Sequence, residues 1–175
     1  LVMVVVMLAA PIVIEPMFNE YKPLPAGEVR NALEGMADEA GIPRDRIFVY
    51  DGSRQSNNFT ANVSGILGSA RIAISDVALK DASLDEVRAV TGHEIGHYVL
   101  GHVWYMVALI AVMSMLAFFL ADRLFPRFAR WFGSDATIGD ARGLPILLFI
   151  MSVIALFAQP MLNAMVRTNE RAADA

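Results

Sequence analysis

The sequence predicts a mainly α-helical protein in which multi-pass membrane helices are combined with a small α+β portion. Hydrophobic residues make up 56% of the 175 residues, a high share for a soluble protein. Many of them lie in two apolar blocks, 103–121 and 144–166, each close to the length of about 20 residues that crosses a bilayer. Shorter amphipathic and β-prone segments fill residues 15–102, where we expect a motif-bearing helix and a small sheet or hairpin.

The overall composition excludes two classes of site. A net charge of −4 provides no basic field for nucleic acid, so we expect no nucleic-acid partner. The sequence contains no cysteine, which rules out a disulfide framework and a thiolate metal site. Any metal ion must therefore be held by histidine and carboxylate side chains.

The first residues form an apolar run that is too short to cross a bilayer alone. Residues 1–14 carry no charge and are interrupted only by Pro11. We interpret this run as the end of a transmembrane helix, with a buried core helix as the alternative. Because the chain starts inside a hydrophobic run and stops soon after a motif described below, we expect both natural ends to be missing.

The segment that follows predicts an irregular connection and then a short helix. Several prolines in residues 15–25 disfavour regular structure, which indicates an exit from the membrane into water. Apolar residues at helical spacing predict a surface helix over 26–40, with Gly41 as its C-terminal cap and Pro43 preventing continuation.

Three β-prone runs come next. Residues 47–50 predict a first strand, and residues 63–67 and 71–75 predict a hairpin. The second strand of this hairpin has two interpretations. It is either a purely structural element or an open edge on which an extended peptide pairs through its backbone.

A helix that carries the most informative residues follows a helical turn at 76–81. Ser83 and Glu86 have the spacing of a capping box, which predicts a helix start near Leu84. No proline stops this helix, so we expect it to run on into the membrane. Glycines inside it are unfavourable, which suggests close approach of another backbone or of a metal site at Gly92, Gly96 and Gly101.

All three histidines of the chain lie in residues 93–102. On a helix of about 3.6 residues per turn, His93 and His97 lie one turn apart on one face, with Glu94 beside them. Two imidazoles in this arrangement bind zinc, and a carboxylate not bound to the metal takes a proton from the metal-held water. This HExxH pattern predicts a zinc-dependent protease, although short patterns of this kind also arise by chance.

A third zinc ligand must come from a distant part of the chain. Leu100 and Val103 occupy the positions at which the HExxHxxGxxH class has its glycine and third histidine, so that class is excluded. Two apolar spans after the motif would return the chain to the side of the membrane that it left. Between them, residues 122–143 combine arginines with aromatic side chains, which predicts an interfacial segment and a loop.

The segment 167–175 offers the missing carboxylate. If the second spanning helix continues into it, Glu170 and Asp174 project from one face, four residues apart. Glu170 would complete a His₂Glu zinc site that keeps a position for water. Asp174 would accept a hydrogen bond from a ligand imidazole. The alternative is a solvated helix end beside the membrane.

With these residues in place, the sequence resembles the integral-membrane zinc metalloproteases typified by the type 1 CAAX prenyl protease and its bacterial relatives, including the HtpX-like heat-shock proteases. The resemblance covers most of the chain. Long apolar spans between the two zinc motifs favour the prenyl-protease branch. It is carried by residues 93–97 with His102, by 169–174 as an NExxAD-like element, by 51–54 through Gly65, by 71–76 as the family's edge strand, and by 16–19.

The resemblance implies a zincin-like α+β catalytic portion over residues 15–102 and a role for each candidate residue. His102 has two interpretations, as an aid to substrate binding or as a histidine at the membrane interface. The implied zinc ligands are His93, His97 and Glu170, with Glu94 as general base and then proton donor and Asp174 as a supporting acid.

Two departures from the family pattern concern substrate binding and completeness. Residues 60–62 read Thr-Ala-Asn where the prenyl proteases usually have an Asn-Ala pair before an aromatic residue. A late transition-state stabiliser of the family would lie beyond Asp174, outside this chain.

The function implied by the resemblance is zinc-dependent hydrolysis of peptide bonds in protein substrates that are prenylated or membrane-associated. The alternatives are an HtpX-like quality-control protease and a non-catalytic membrane scaffold that retains the fold. The resemblance places the catalytic site of this multi-pass protein on the cytosolic side. The arginines of 122–143 oppose that orientation, because the positive-inside rule would assign their side of the membrane to the cytosol.

Overall fold

The structure is a computed structural model that describes residues 15–65 and 69–175. It divides into two compact units, one containing the chain up to His102 together with Glu170–Ala175, the other containing Val103–Asn169. The predicted membrane segment 1–14 and the end of the predicted strand 63–67 lie outside the described residues.

Short helices and strands precede two long helices in the described chain. The longest helices are the last two, which fits the mainly α class predicted from the sequence. In chain order the elements are α1 (Glu15–Phe18), β1 (Tyr21–Pro23), α2 (Glu28–Glu39), β2 (Ile47–Tyr50), β3 (Ala61–Ser64), β4 (Arg71–Ser75), α3 (Asp76–Asp81), α4 (Leu84–Val99), α5 (His102–Trp131) and α6 (Leu144–Ala173).

The four strands form one mixed sheet in the order β1-β2-β4-β3. The predicted hairpin is confirmed, because β3 and β4 pair antiparallel with Val63 opposite Ile72. The interpretation of β4 as an open edge is wrong, since β4 also pairs in parallel with β2 on its other side. Its residues Ile72, Ala73 and Ile74 are fully buried, as a strand covered on both faces requires. Within the described chain, β3 is the edge strand on this side of the sheet.

The strand β1 lies in the segment predicted to be irregular. Tyr21 pairs with Tyr50 and Pro23 with Phe48, so the chain adds an antiparallel edge strand before α2. Proline lacks an N–H group but is tolerated in an edge strand, where one side of the backbone needs no partner. The proline-rich segment thus contains a regular strand of three residues.

The core of the first unit joins the sheet to two helices. Leu33 and Ala37 on α2 are fully buried and pack with Ile47, Ile72 and Val87, the last of these on α4. The predicted cap of α2 is also present, since Gly41 has φ of 69°, a left-handed conformation that favours glycine. This packing fixes the helix that carries the histidines.

The start of α4 agrees with the sequence prediction, whereas its end does not. Ser83 and Glu86 form the predicted capping box, in which the backbone N–H of Ser83 donates to Glu86 Oε2 at 2.8 Å. The prediction that this helix runs on into the membrane is wrong. It ends at Val99, and Gly101 has φ of 66°, so the chain leaves the helical path before α5 begins at His102.

The second unit consists of most of α5 and α6. The first of these helices continues past the predicted boundary at residue 121 to Trp131, with Pro126 inside it. Phe125 and Ala129 are buried against Ile146 and Ile150, which explains why the helix persists. Both helices have the length and apolar composition of membrane spans.

Candidate metal centre

Three side chains from two distant parts of the sequence converge in the first unit. His93 and His97 lie on α4, and Glu170 lies near the end of α6, which continues beyond the apolar span as predicted. The two Nε2 atoms are 3.0 Å apart. Glu170 Oε2 is 3.2 Å from His93 Nε2, and Glu170 Oε1 is 3.7 Å from His97 Nε2. These three residues form a group that can hold a metal ion.

The spacing and chemistry of this group fit a zinc ion. Bonds of about 2.0–2.1 Å to ligands in tetrahedral geometry put neighbouring ligand atoms about 3.3 Å apart. The observed separations of 3.0, 3.2 and 3.7 Å lie around that value. Two imidazoles and one carboxylate are also a ligand set that leaves a fourth position for water or substrate.

Asp174 forms a hydrogen bond with His93 on the side of the imidazole that faces away from the other two residues of the group. Its Oδ1 lies 2.7 Å from His93 Nδ1, the ring nitrogen that does not face the group. This hydrogen bond raises the pKa of His93 above the ordinary histidine value, with smaller contributions from the charges of Asp174 and Glu170 and against the effect of burial. Asp174 therefore contacts a predicted ligand imidazole in the manner expected from the sequence, and the structure identifies that imidazole as His93.

His102 contacts the second histidine in a similar way. Its Nδ1 lies 2.7 Å from His97 Nδ1, and the two rings meet edge-on with centroids 4.9 Å apart. Sequence reasoning associated His102 with substrate binding or with the membrane interface and missed this contact. The signal that could have revealed it is Gly101, whose left-handed conformation turns the chain between the two histidines.

Glu94 is half-buried beside the group and is free of competing bonds. Its carboxylate makes no hydrogen bond or ion pair with any other described residue, so its oxygens are available to a water molecule. Burial raises the pKa of Glu94, while the nearby His97 and His93 partly oppose that shift. A carboxylate with a raised pKa is a better proton acceptor near neutral pH than an ordinary one.

Gly96 allows the end of α6 to pack closely against α4. A Cβ atom on Gly96 would lie 2.8 Å from the backbone oxygen of Ala173 and 3.1 Å from its Cα. Ala173 is the last residue of α6, in the turn that contains Glu170, and Asp174 follows it directly. The absence of a side chain at Gly96 thus lets this turn lie directly against α4. The sequence predicted a close approach at this glycine, and the structure confirms it.

The other glycines of the motif region have different surroundings. A Cβ atom on Gly92 would meet only the end of the Met36 side chain, at 3.3 Å, and one on Gly101 would meet nothing within 4 Å. No backbone lies close to Gly92 or Gly101, so the predicted close approach is wrong at these two positions. Gly101 instead provides the left-handed backbone conformation that ends α4.

Known proteins resemble this chain over most of its length. A crystal structure of S. mikatae Ste24p superposes with a TM-score of 0.81 at 29% sequence identity, covering 99% of this chain and 44% of that one. The CAAX prenyl protease 1 of Saccharomyces cerevisiae is 40% identical over 71% of this chain and 27% of its own length. An uncharacterized metalloprotease of Bacillus subtilis, YhfN, is 34% identical over 94% of this chain and 39% of its own length.

These relatives are much longer than the chain, which spans between 27% and 44% of their lengths. They confirm the resemblance to the type 1 CAAX prenyl proteases that the residues suggested. The sequence pattern of peptidase family M48 matches residues 23–175, which is most of the chain. The chain therefore belongs to peptidase family M48.

Proposed function

We propose that the chain is the catalytic part of a zinc-dependent membrane endopeptidase that processes the C-termini of prenylated proteins. The observation that carries the proposal is the convergence of His93, His97 and Glu170, with donor atoms spaced as ligands of one ion. These three side chains would hold the zinc. The two histidines lie on α4, which carries the HExxH pattern, and the carboxylate of Glu170 lies on α6, after two apolar segments.

The residues around the group divide the chemistry among them. A zinc ion bound there supplies Lewis-acid polarisation of the scissile carbonyl and lowers the pKa of a bound water toward about 7. Glu94 accepts a proton from the attacking water and donates it to the nitrogen of the leaving amine. Asp174 keeps the proton of His93 on Nδ1, so that Nε2 faces the metal.

The sheet offers a place for an extended peptide beside this chemistry. Among the described strands, β3 is at the edge of the sheet and contacts α4, the helix that carries His93 and His97. A peptide that pairs with the free side of β3 would gain backbone hydrogen bonds without any requirement for particular side chains. This edge replaces β4 in the substrate-binding role, because β4 is paired on both sides.

The substrate class rests on the relatives. The yeast relative, at 40% identity, is a CAAX prenyl protease. Two long apolar helices in the same chain suit a substrate that carries a lipid and is held at a membrane. The quality-control alternative would instead cut unfolded membrane proteins without regard to a prenyl group.

The proposal is tested by replacing the general base without touching the ligands. Glu94→Gln removes the proton acceptor while preserving the size of the side chain. We expect this variant to bind zinc as the wild type does and to lose hydrolysis of a prenylated CAAX peptide. Zinc content and peptide cleavage are measured on the same purified full-length protein.

Chelator treatment and a comparison of three substrates complete the test. The chelator-treated wild type should lose cleavage and regain it when zinc is restored. Undiminished hydrolysis by Glu94→Gln would refute the assigned chemistry. Equal cleavage of the prenylated peptide, its unprenylated form and an unfolded membrane protein would favour the quality-control alternative. A wild type that binds zinc but cleaves none of them would favour a scaffold.

A further inference from the structure

The imidazole of His97 is held on both sides, and its second partner is another imidazole. Its Nε2 faces His93 and Glu170, whereas its Nδ1 lies 2.7 Å from His102 Nδ1. Among the described residues, no carboxylate contacts His97 Nδ1. The two proposed ligand histidines are therefore supported differently, one by Asp174 and the other by His102.

We propose that His102 is a positioning residue for His97, whose Nδ1–H donates to His102 Nδ1 and thereby leaves His97 Nε2 free to bind the metal. This inference rests on the proposed zinc site. It assigns His102 to the metal site, in place of the two interpretations from the sequence, an aid to substrate binding or a histidine at the membrane interface. The role is indirect, since His102 itself does not face the ion.

The proton positions follow from the chemistry of imidazole. A nitrogen that binds a metal carries no proton, so neutral His97 must carry its proton on Nδ1. Two Nδ1 atoms at 2.7 Å form a hydrogen bond only if one of them donates and the other accepts. His102 must therefore be neutral, with its own proton on Nε2.

The contact depends on the break between α4 and α5. On a continuous helix, two residues five apart would point about 140° away from each other, so His97 and His102 could not meet. The chain instead leaves the helix after Val99, and Gly101 has φ of 66°. The interruption that ends α4 thus places His102 beside His97.

The neutral imidazole of His102 affects its ligand histidine differently from the charged carboxylate of Asp174. Asp174 orients His93 and also adds negative charge behind it, which strengthens that imidazole as a donor to the metal. His102 orients His97 without adding charge. Loss of His102 should therefore act through ring orientation, and a neutral acceptor of the right shape should replace it.

The experiment compares zinc affinities of three full-length variants by competition with a chromophoric chelator. His102→Ala removes the acceptor, and we expect it to weaken zinc binding by about 10- to 100-fold. His102→Asn places an amide oxygen near the position of Nδ1 and should recover most of that loss. Val103→Ala alters an exposed neighbour and should bind zinc as the wild type does.

Two other outcomes would contradict the inference, and a third would contradict the proposed function. Wild-type affinity in His102→Ala would show that the contact does not position His97. An affinity of His102→Asn as low as that of His102→Ala would show that an accepted hydrogen bond is not what matters. Absence of zinc from the wild type would instead refute the proposed function on which the inference rests.

Discussion

At the scale of single residues, the contact between Asp174 and His93 would couple the proposed metal binding to pH. The hydrogen bond with Asp174 raises the pKa of His93 in the metal-free chain. The protonated ring is therefore favoured up to a higher pH than in an ordinary histidine. When His93 is protonated, its contact with Asp174 stabilises the folded chain. This stabilisation is fully present below the ordinary histidine pKa and is lost as pH rises through the raised pKa of His93.

This coupling predicts how Asp174→Asn changes zinc affinity across the pH range. At alkaline pH the variant should bind zinc about 10- to 100-fold more weakly, because the ligand loses its negatively charged partner. As pH falls, zinc must displace a proton from His93, and this competition begins at a higher pH in the wild type. The difference in affinity should therefore narrow toward acidic pH.

Chelator competition at several pH values measures this effect. A ratio of wild-type to variant affinity that stays constant across the range would contradict the assignment of Asp174 as the partner of His93. Arg171→Ala is a suitable control, because Arg171 is exposed near the end of α6 and its side chain makes no hydrogen bond or ion pair with the histidines or any other described residue.

At the scale of secondary-structure elements, the centre depends on how closely the last turn of α6 lies against α4. Gly96 permits that approach, since a Cβ atom there would overlap the backbone of Ala173. Backbone cannot move aside as a flexible side chain can. A small displacement of this turn would move Glu170 and Asp174 together, so both the proposed ligand and its support would be affected.

Gly96→Ala tests this dependence. We expect it to lower the rate of peptide cleavage by on the order of 100-fold, because a displacement of about 1 Å at a catalytic centre has effects of that size. The matched control is Gly92→Ala, whose Cβ atom would meet only the flexible end of Met36. The control should keep wild-type cleavage and gain helix stability of about 1 kcal/mol.

Equal effects of the two substitutions would indicate general sensitivity of the helix to alanine. That result would contradict a specific role for the close approach of α4 and α6. Cleavage rates and thermal unfolding of both variants, measured in the same detergent, provide the comparison.

The elements also show which parts of the fold local sequence can predict. Capping by Ser83 and Glu86, the glycine cap at Gly41 and the hairpin of β3 and β4 depend on nearby residues, and the structure confirms them. The parallel pairing of β2 with β4 depends on tertiary packing, so local pattern could not place β4 inside the sheet.

The long helices illustrate the same distinction. The end of the apolar block at residue 121 and the arginines that follow it predicted a loop at the membrane surface, yet α5 continues to Trp131. Buried residues recur every fourth position at Ala121, Phe125 and Ala129, and this stripe was a usable signal.

At the metal centre, the spacing of the histidines and of Glu170 with Asp174 indicated which residues meet. The partner of His97 depended on a backbone conformation that spacing alone did not specify.

At the scale of the whole molecule, membrane topology is the main consequence of the two long apolar helices. If each crosses the bilayer once, residues 132–143 lie on the side opposite the metal centre. Family resemblance places the centre on the cytosolic side, whereas the arginines of residues 122–143 favour the cytosol for the opposite side. The proposed function takes the orientation implied by the family, and this orientation is a prediction that can be tested.

Because the chain has no cysteine, single introduced thiols can report this topology. Thr137→Cys marks the segment between the long helices, and Asp85→Cys marks the start of α4, where the side chain is 94% exposed. In sealed vesicles of known orientation, an impermeant maleimide should label Asp85→Cys only from the cytosolic side and Thr137→Cys only from the other. Labelling of both from one side would contradict two spans, and exchanged sides would reverse the orientation.

The claim on which the proposed function depends is that one zinc ion joins the HExxH helix to the helix beyond the spans. An experimental structure of the zinc-loaded full-length protein, with anomalous data collected at the zinc edge, tests it directly. The account predicts a single peak within about 2.0–2.2 Å of His93 Nε2, His97 Nε2 and a Glu170 oxygen. A zinc peak without Glu170 among its ligands, or no peak at this position, would contradict the account.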